Sequence, residues 1–234
     1  MKDKQVVIVG GTGSIGSALV RQLSAQGARV RVTGRDSDSL ASAEKGASGV
    51  QSFLCEVTSE ASVGEVFSHF DDIDHVVVLA GSSGGGPFME TPASRQRYVL
   101  EERVWGAIYA VRAAVPKMRG GSITLTSGLF ASRPPAAGSV MLVTALSAVE
   151  GLVRGLAREL APIRINAVSF GVVRSTRHRH MGADQEPYYR RLGNALPTGR
   201  VGEPDHAAHA IVFAMQNDYL TGEVLHVDGG ARLV

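Results

Sequence analysis

The chain has 234 residues, of which 44% are hydrophobic, 20% charged and 6% aromatic, the composition of a globular α/β protein rather than a disordered one. Its single cysteine, Cys55, excludes an intramolecular disulfide framework and every Cys-cluster metal site, and points to a reducing, cytoplasmic setting. The 24 basic residues face 22 acidic ones, which gives no reason to expect a nucleic-acid partner. The sequence also lacks the apolar run of about 18 residues that would mark a membrane partner.

Short β-branched runs alternate with helix-length amphipathic stretches along the whole chain. Gln5–Val9 reads as a fully buried strand, followed by a glycine turn and a helix over Ile15–Gln26. Arg29–Thr33 is the next strand, Ser39–Lys45 a polar helical segment, Val50–Leu54 a strand and Ser59–Phe70 a helix. His75–Ala80 is again a buried strand. Thr91 as N-cap and Pro92 as first residue are expected to open a helix running to about Met118. Ser122–Thr126 reads as a strand, Val140–Leu160 as a long helix and Ile163–Val168 as a strand. Pro204 opens a last helix to about Gln216, and Glu223–Val227 closes the series as a strand. Such alternation predicts one α/β domain over 1–234, a doubly wound parallel sheet with helices on both faces. Gly171–Gly202, rich in Arg, His, Tyr and Gly, is expected to be an irregular lid or substrate loop.

Gly11-Thr12-Gly13-Ser14-Ile15-Gly16 matches G-x-G-x-x-G in the context the motif needs, after a strand and opening a helix. Glycines there allow a tight turn and close approach of backbone to a pyrophosphate, and the helix N-terminus offers unpaired N–H groups. A glycine turn without a ligand is the plainer alternative. After the second strand, Arg35 suits the 2′-phosphate of NADP, whereas Asp36 would suit the ribose hydroxyl of NAD; both could instead be solvated turn charges.

With this loop, Leu79-Ala80-Gly81, Thr126-Ser127, Arg164-Ile165-Asn166-Ala167-Val168-Ser169, Gly199-Arg200-Val201-Gly202-Glu203-Pro204 and the stretch Leu220–Gly230, the chain resembles the short-chain dehydrogenase/reductase family from about residue 5 to residue 230. The resemblance implies a Rossmann-type fold, an NAD(P)-dependent oxidoreductase acting on alcohols and carbonyls, a small-molecule substrate, and a homodimer or homotetramer. It places Gly10, Gly11, Thr12, Gly13, Ser14, Ile15 and Gly16 at the phosphates, with Ser14 where the family has its middle glycine. It places Glu56 and Val57 near the adenine, with Ala80, Gly81, Gly171, Val172 and Ser175 along the rest of the cofactor. NADP is the expected cofactor, NAD the alternative.

The catalytic half departs from the family. Ser127 is kept, but the tyrosine and lysine of the family's Tyr-x-x-x-Lys pair are Leu142 and Leu146, and Arg103 stands where an asparagine is usual. No tyrosine lies between Tyr109 and Tyr188, and no lysine follows Lys117, so no shift of register restores the pair. A tyrosine becomes a usable proton donor only when a neighbouring cation stabilises its phenolate. Two leucines supply neither group. Ser127 and Arg103 therefore remain as candidate catalytic residues, although Ser127 could serve only as a backbone partner and Arg103 could pair with Glu101 or Glu102. The run Arg174–His180 could grip an acidic group or be a solvated loop, His178 or His180 could supply a titrating group, and Tyr188 or Tyr189 a phenol. His178 and His180 alone make no metal site. Two functions follow: an NADP-dependent oxidoreductase with a non-standard proton donor, or a catalytically inactive dinucleotide-binding protein or scaffold.

Overall fold

The computed structural model describes residues 1–82 and 85–234. Seven parallel strands form one sheet in the order β3-β2-β1-β4-β5-β6-β7. They are β1 (Gln5–Val9), β2 (Arg29–Gly34), β3 (Val50–Leu54), β4 (His75–Val78), β5 (Ser122–Gly128), β6 (Arg164–Phe170) and β7 (Val224–Val227). The helices are α1 (Ser14–Ala25), α2 (Ser37–Gly46), α3 (Glu60–Ser68), α4 (Ala93–Leu100), α5 (Gly106–Ala114), α6 (Val140–Glu159), α7 (Gln185–Asn194) and α8 (Pro204–Gln216).

Val6, Val7 and Ile8 are wholly buried because β1 is covered on both faces. Val7 and Val9 pack toward α3, α5 and α6 with Phe67, Ile123 and Val149, whereas Val6 and Ile8 pack toward α1 and α8 with Leu19, Ile211 and Met215. Each such side chain contributes about 1.5–3 kcal/mol when buried. A one-residue slip would exchange the two faces, so the register is fixed. Strand order reverses between β1 and β4, and an open sheet of this kind leaves a crevice outside its carboxyl ends at that point.

Three local expectations are corrected. Thr91 is not an N-cap: its hydroxyl donates to the Pro87 carbonyl at 2.8 Å, and α4 begins at Ala93 with Pro92 before it. The stretch to Met118 is not one α-helix, since a π-helical turn at Glu101–Trp105 joins α4 to α5 and a 3₁₀ turn at Val115–Lys117 ends it. The lid is largely regular, with a 3₁₀ run at Thr176–Asp184 followed by the ten-residue α7. By contrast α8 starts as its sequence indicates, with Pro204 in the first turn and the Glu203 N–H donating to His206 Nδ1 at 2.9 Å.

Candidate active site

The chain leaves β1 through Gly10, whose φ of 79° lies in the left-handed region and whose missing Cβ would stand 2.6 Å from the Ala80 nitrogen. The backbone can therefore pass close to the β4 loop. One turn into α1, a Cβ on Gly16 would overlap the Gly11 carbonyl, so the helix packs directly on the loop that precedes it. Gly13 occupies the N-cap with no side chain to satisfy the first N–H groups of α1. They are left for an anion.

Two adjoining clefts open over this turn and share Gly10, Gly13, Leu79, Gly81 and Arg177. The first, of about 270 Å³, is lined by Thr12, Gly34, Arg35, Val57, Ala80 and Glu102. The second, of about 390 Å³, is lined by Ser14, Ile15, Gly16, Arg103, Ser127, Phe170, Gly171, Val172, Ser175, His178 and Tyr188. Together they form one long trough across the ends of β1, β4, β5 and β6. Every expected cofactor residue falls on it except three. Glu56 turns back to accept the Thr58 N–H and hydroxyl at 3.1 and 2.8 Å and faces a neighbouring cavity with Phe53 and His69. Gly11 lies just beneath the floor, where a Cβ would meet Ile8 and Val32 at 2.8 and 2.9 Å. Asp36 accepts the Ser39 hydroxyl at 2.5 Å and caps α2 by accepting the Ser39 N–H at 2.8 Å, and these two bonds hold its carboxyl below the usual carboxylate range.

Arg35 reaches the first cleft braced rather than free. Its Nη1 donates to Tyr98 Oη at 2.9 Å, and its Nη2 lies 3.6 Å from Glu102, a carboxylate only 3% exposed. The π turn places Glu102 and Arg103 side by side facing the trough, each lining a different half. Arg103 pairs with neither Glu101 nor Glu102 within ion-pair distance. It donates instead to the Ser82 carbonyl from Nε at 3.0 Å and from Nη2 at 2.6 Å, and to the Gly81 carbonyl at 3.2 Å. Burial pulls its guanidinium down to about 10, opposed by Glu102 and reinforced by Arg177.

The two positions where the resemblance puts the Tyr-x-x-x-Lys pair are sealed. Leu142 and Leu146 are 6% and 4% exposed. Ser127, 5% exposed, donates from Oγ to Glu150 Oε1 at 2.6 Å. The charged lid is likewise tied down. Arg174 lies 4.7 Å over the Tyr189 ring and is ion-paired with Glu186 and, at 2.9 Å, with Glu203. Tyr189 is buried, accepts the Ser175 N–H at 3.0 Å and lies 2.8 Å from His178 Nδ1. The His178 ring lies 5.5 Å from that of Tyr188 at a tilt of 57°, and burial, His180 and Arg177 lower its basicity. The lid reaches the glycine loop where the Thr176 N–H donates to Ser14 Oγ at 2.9 Å. Arg177 forms no ion pair among the described residues and touches the Gly81 carbonyl at 3.5 Å.

Glu102, Tyr98, Glu150 and Arg177 were not singled out by sequence as individual site residues. Glu150 had a readable signal, because it follows Leu146 by four residues on a helical face. Glu102 had none, since its direction depends on the π turn.

Comparison with known proteins agrees with this fold. The family model described as enoyl-(acyl carrier protein) reductase matches residues 10–232. A 3-oxoacyl-[acyl-carrier-protein] reductase from Homo sapiens is 30% identical, with 99% of both chains aligned. A 3alpha-hydroxysteroid dehydrogenase from Mediterraneibacter gnavus is also 30% identical over 99% of this chain and 98% of its own. The crystal structure of a small-chain dehydrogenase in complex with NADPH superimposes with a TM-score of 0.84 at 35% identity, covering 99% of this chain and 100% of that one.

Proposed function

This chain belongs to the short-chain dehydrogenase/reductase family of oxidoreductases, and from that premise we propose that it binds NADP(H) and exchanges hydride with a small carbonyl or alcohol substrate by a non-standard proton route. The observation that carries the reading is the uncapped start of α1 opening onto a trough at the switch point of the sheet. The residues present fit the cofactor. Gly10, Gly13 and Gly16 let backbone N–H groups of the loop approach a pyrophosphate. Arg35 offers a guanidinium at the first cleft for a 2′-phosphate. The solved neighbour that holds NADPH supports this choice of cofactor for the family fold.

Bound nicotinamide supplies or accepts the hydride. The chain's own part is to seat it, exclude water and handle the substrate proton. Phe170, Val172 and Leu79 supply apolar wall to the second cleft, while Ser127 and Arg103 stand among its polar groups with Arg174, Arg177 and His178. Cys55, 7% exposed and the only cysteine, suits a reducing cytoplasmic setting. A catalytically silent dinucleotide binder is the second reading, favoured by the burial of Leu142 and Leu146 where the family's relay stands. Calorimetry with NADPH and NADH, then a screen of carbonyls and alcohols by nicotinamide absorbance, separates them. Tight NADPH binding with turnover supports the enzyme. Binding without turnover of any substrate sinks it in favour of the silent binder, and no NADPH binding sinks both.

A further inference from the structure

The face of α6 that meets the sheet repeats every three to four residues. Leu142 and Leu146 occupy successive positions on it, and the next is Glu150. Its Oε1 accepts the Ser127 hydroxyl at 2.6 Å, a short charge-assisted bond. Ser127 is buried at 5% exposure yet lines the larger cleft beside Phe170 and Arg103. No lysine, arginine or histidine lies within ion-pair distance of Glu150 among the described residues. Among the described residues the carboxylate takes its hydrogen bond from the neutral serine hydroxyl and faces no cation. A lone serine neither gives nor takes a proton near neutral pH. A serine backed by a carboxylate can pass one through, because the carboxylate receives the hydroxyl proton as the oxygen accepts another.

We propose that Ser127 and Glu150 form the proton relay of this site, in place of the pair lost at positions 142 and 146. The proposal rests on the oxidoreductase reading and names the proton-handling groups of that same cleft. In alcohol oxidation the carbinol C–H bond breaks, and hydrogen with its electron pair leaves as hydride to the nicotinamide of NADP⁺, which is reduced. The substrate O–H bond breaks as its proton passes to Ser127 Oγ, the Ser127 proton moves to Glu150 Oε1, and the C=O bond forms. Glu150, now neutral, returns the proton to water. Carbonyl reduction runs the same steps backwards, with protonated Glu150 as the proton source.

The test uses Ser127→Ala, Glu150→Gln, Glu150→Asp and the double variant S127A/E150Q on the substrate that the wild type turns over best. General acid–base catalysis typically contributes about 10²–10⁴-fold, so S127A and E150Q should each lower kcat at least about 100-fold with KM within about threefold. The double variant should be no slower than either, since the two groups act as one unit, and E150D should recover part of the rate. A second readout needs no turnover. In a Cys55→Ser background, Ser127→Cys puts a thiol beside the Glu150 carboxylate, which disfavours the thiolate. Adding Glu150→Gln should then speed alkylation by iodoacetamide at least about fivefold, since the thiolate is the nucleophile. An E150Q kcat within about threefold of wild type, or an alkylation rate that E150Q leaves unchanged, would overturn the relay and leave the oxidoreductase reading standing. Intact NADPH binding with no wild-type turnover on any carbonyl or alcohol would overturn the oxidoreductase reading and the relay with it.

Discussion

Arg35, which we propose as the residue that selects NADPH, is held with little freedom. Its guanidinium is already oriented by Tyr98 and lies near the buried Glu102, so a 2′-phosphate bound there would meet a donor that loses little side-chain entropy. A hydrogen bond to a charged group is worth about 1.5–3 kcal/mol. Arg35→Ala should therefore weaken NADPH at least about tenfold while leaving NADH within about threefold, read by calorimetry. Equal losses for the two cofactors would show that Arg35 only supports the loop. At this scale the sequence was informative about identity and silent about direction. The glycine loop, Arg35 and the missing Tyr and Lys were all readable, because they depend on residue type at fixed spacing. That Arg103 would serve carbonyls 81 and 82, and that Glu56 would turn back on Thr58, depends on side-chain geometry that no spacing encodes.

Among the elements, the strands and the helices α1, α6 and α8 were legible to within a residue or two, because burial on two faces writes continuous apolar runs and one-face burial writes a helical period. The lid was not, since α7 is polar and its stability comes from partners distant in sequence. Tyr189 is the clearest of these: its ring carries Arg174, and its hydroxyl takes the Ser175 N–H and meets His178. Tyr189→Phe keeps the packing and leaves that N–H without its partner, which costs about 1–3 kcal/mol when buried. Limited proteolysis should cut the variant faster than wild type within residues 174–184, with the sheet unaffected. Unchanged cleavage would mean that Arg174 and its two carboxylates hold the lid without help. The π turn was also invisible to sequence, and its position beside the trough accords with the tendency of such turns to sit at functional sites.

For the molecule as a whole, the two poles of the sheet respond to different conditions. At the amino ends of the strands His75, 6% exposed, meets Ser122 Oγ at 2.8 Å, and burial pulls its ring down to about 4, against the opposing pull of Asp74. An unfolded histidine titrates near 6.5. Between those values the unfolded chain holds a proton that the folded one refuses, so stability falls as pH drops from about 6.5 to about 4, by at most about 3 kcal/mol. Urea unfolding should show this loss in wild type and a shallower one in His75→Gln; parallel curves would refute it. The outer surface carries Trp105 and Val140, each 50% exposed, with Leu233 and Val234 at 75% and 51%. We expect these apolar patches to be covered in a symmetric dimer or tetramer, and light scattering that returned a monomer at micromolar concentration would reject this. The trough itself draws its walls from residues 9 to 188, one loop from nearly every crossover. No early fragment of the chain contains a usable site, because long-range pairing must close before the last wall arrives. On refolding from denaturant, far-ultraviolet ellipticity should therefore recover ahead of NADPH fluorescence enhancement, the binding signal lagging until the lid docks on Ser14.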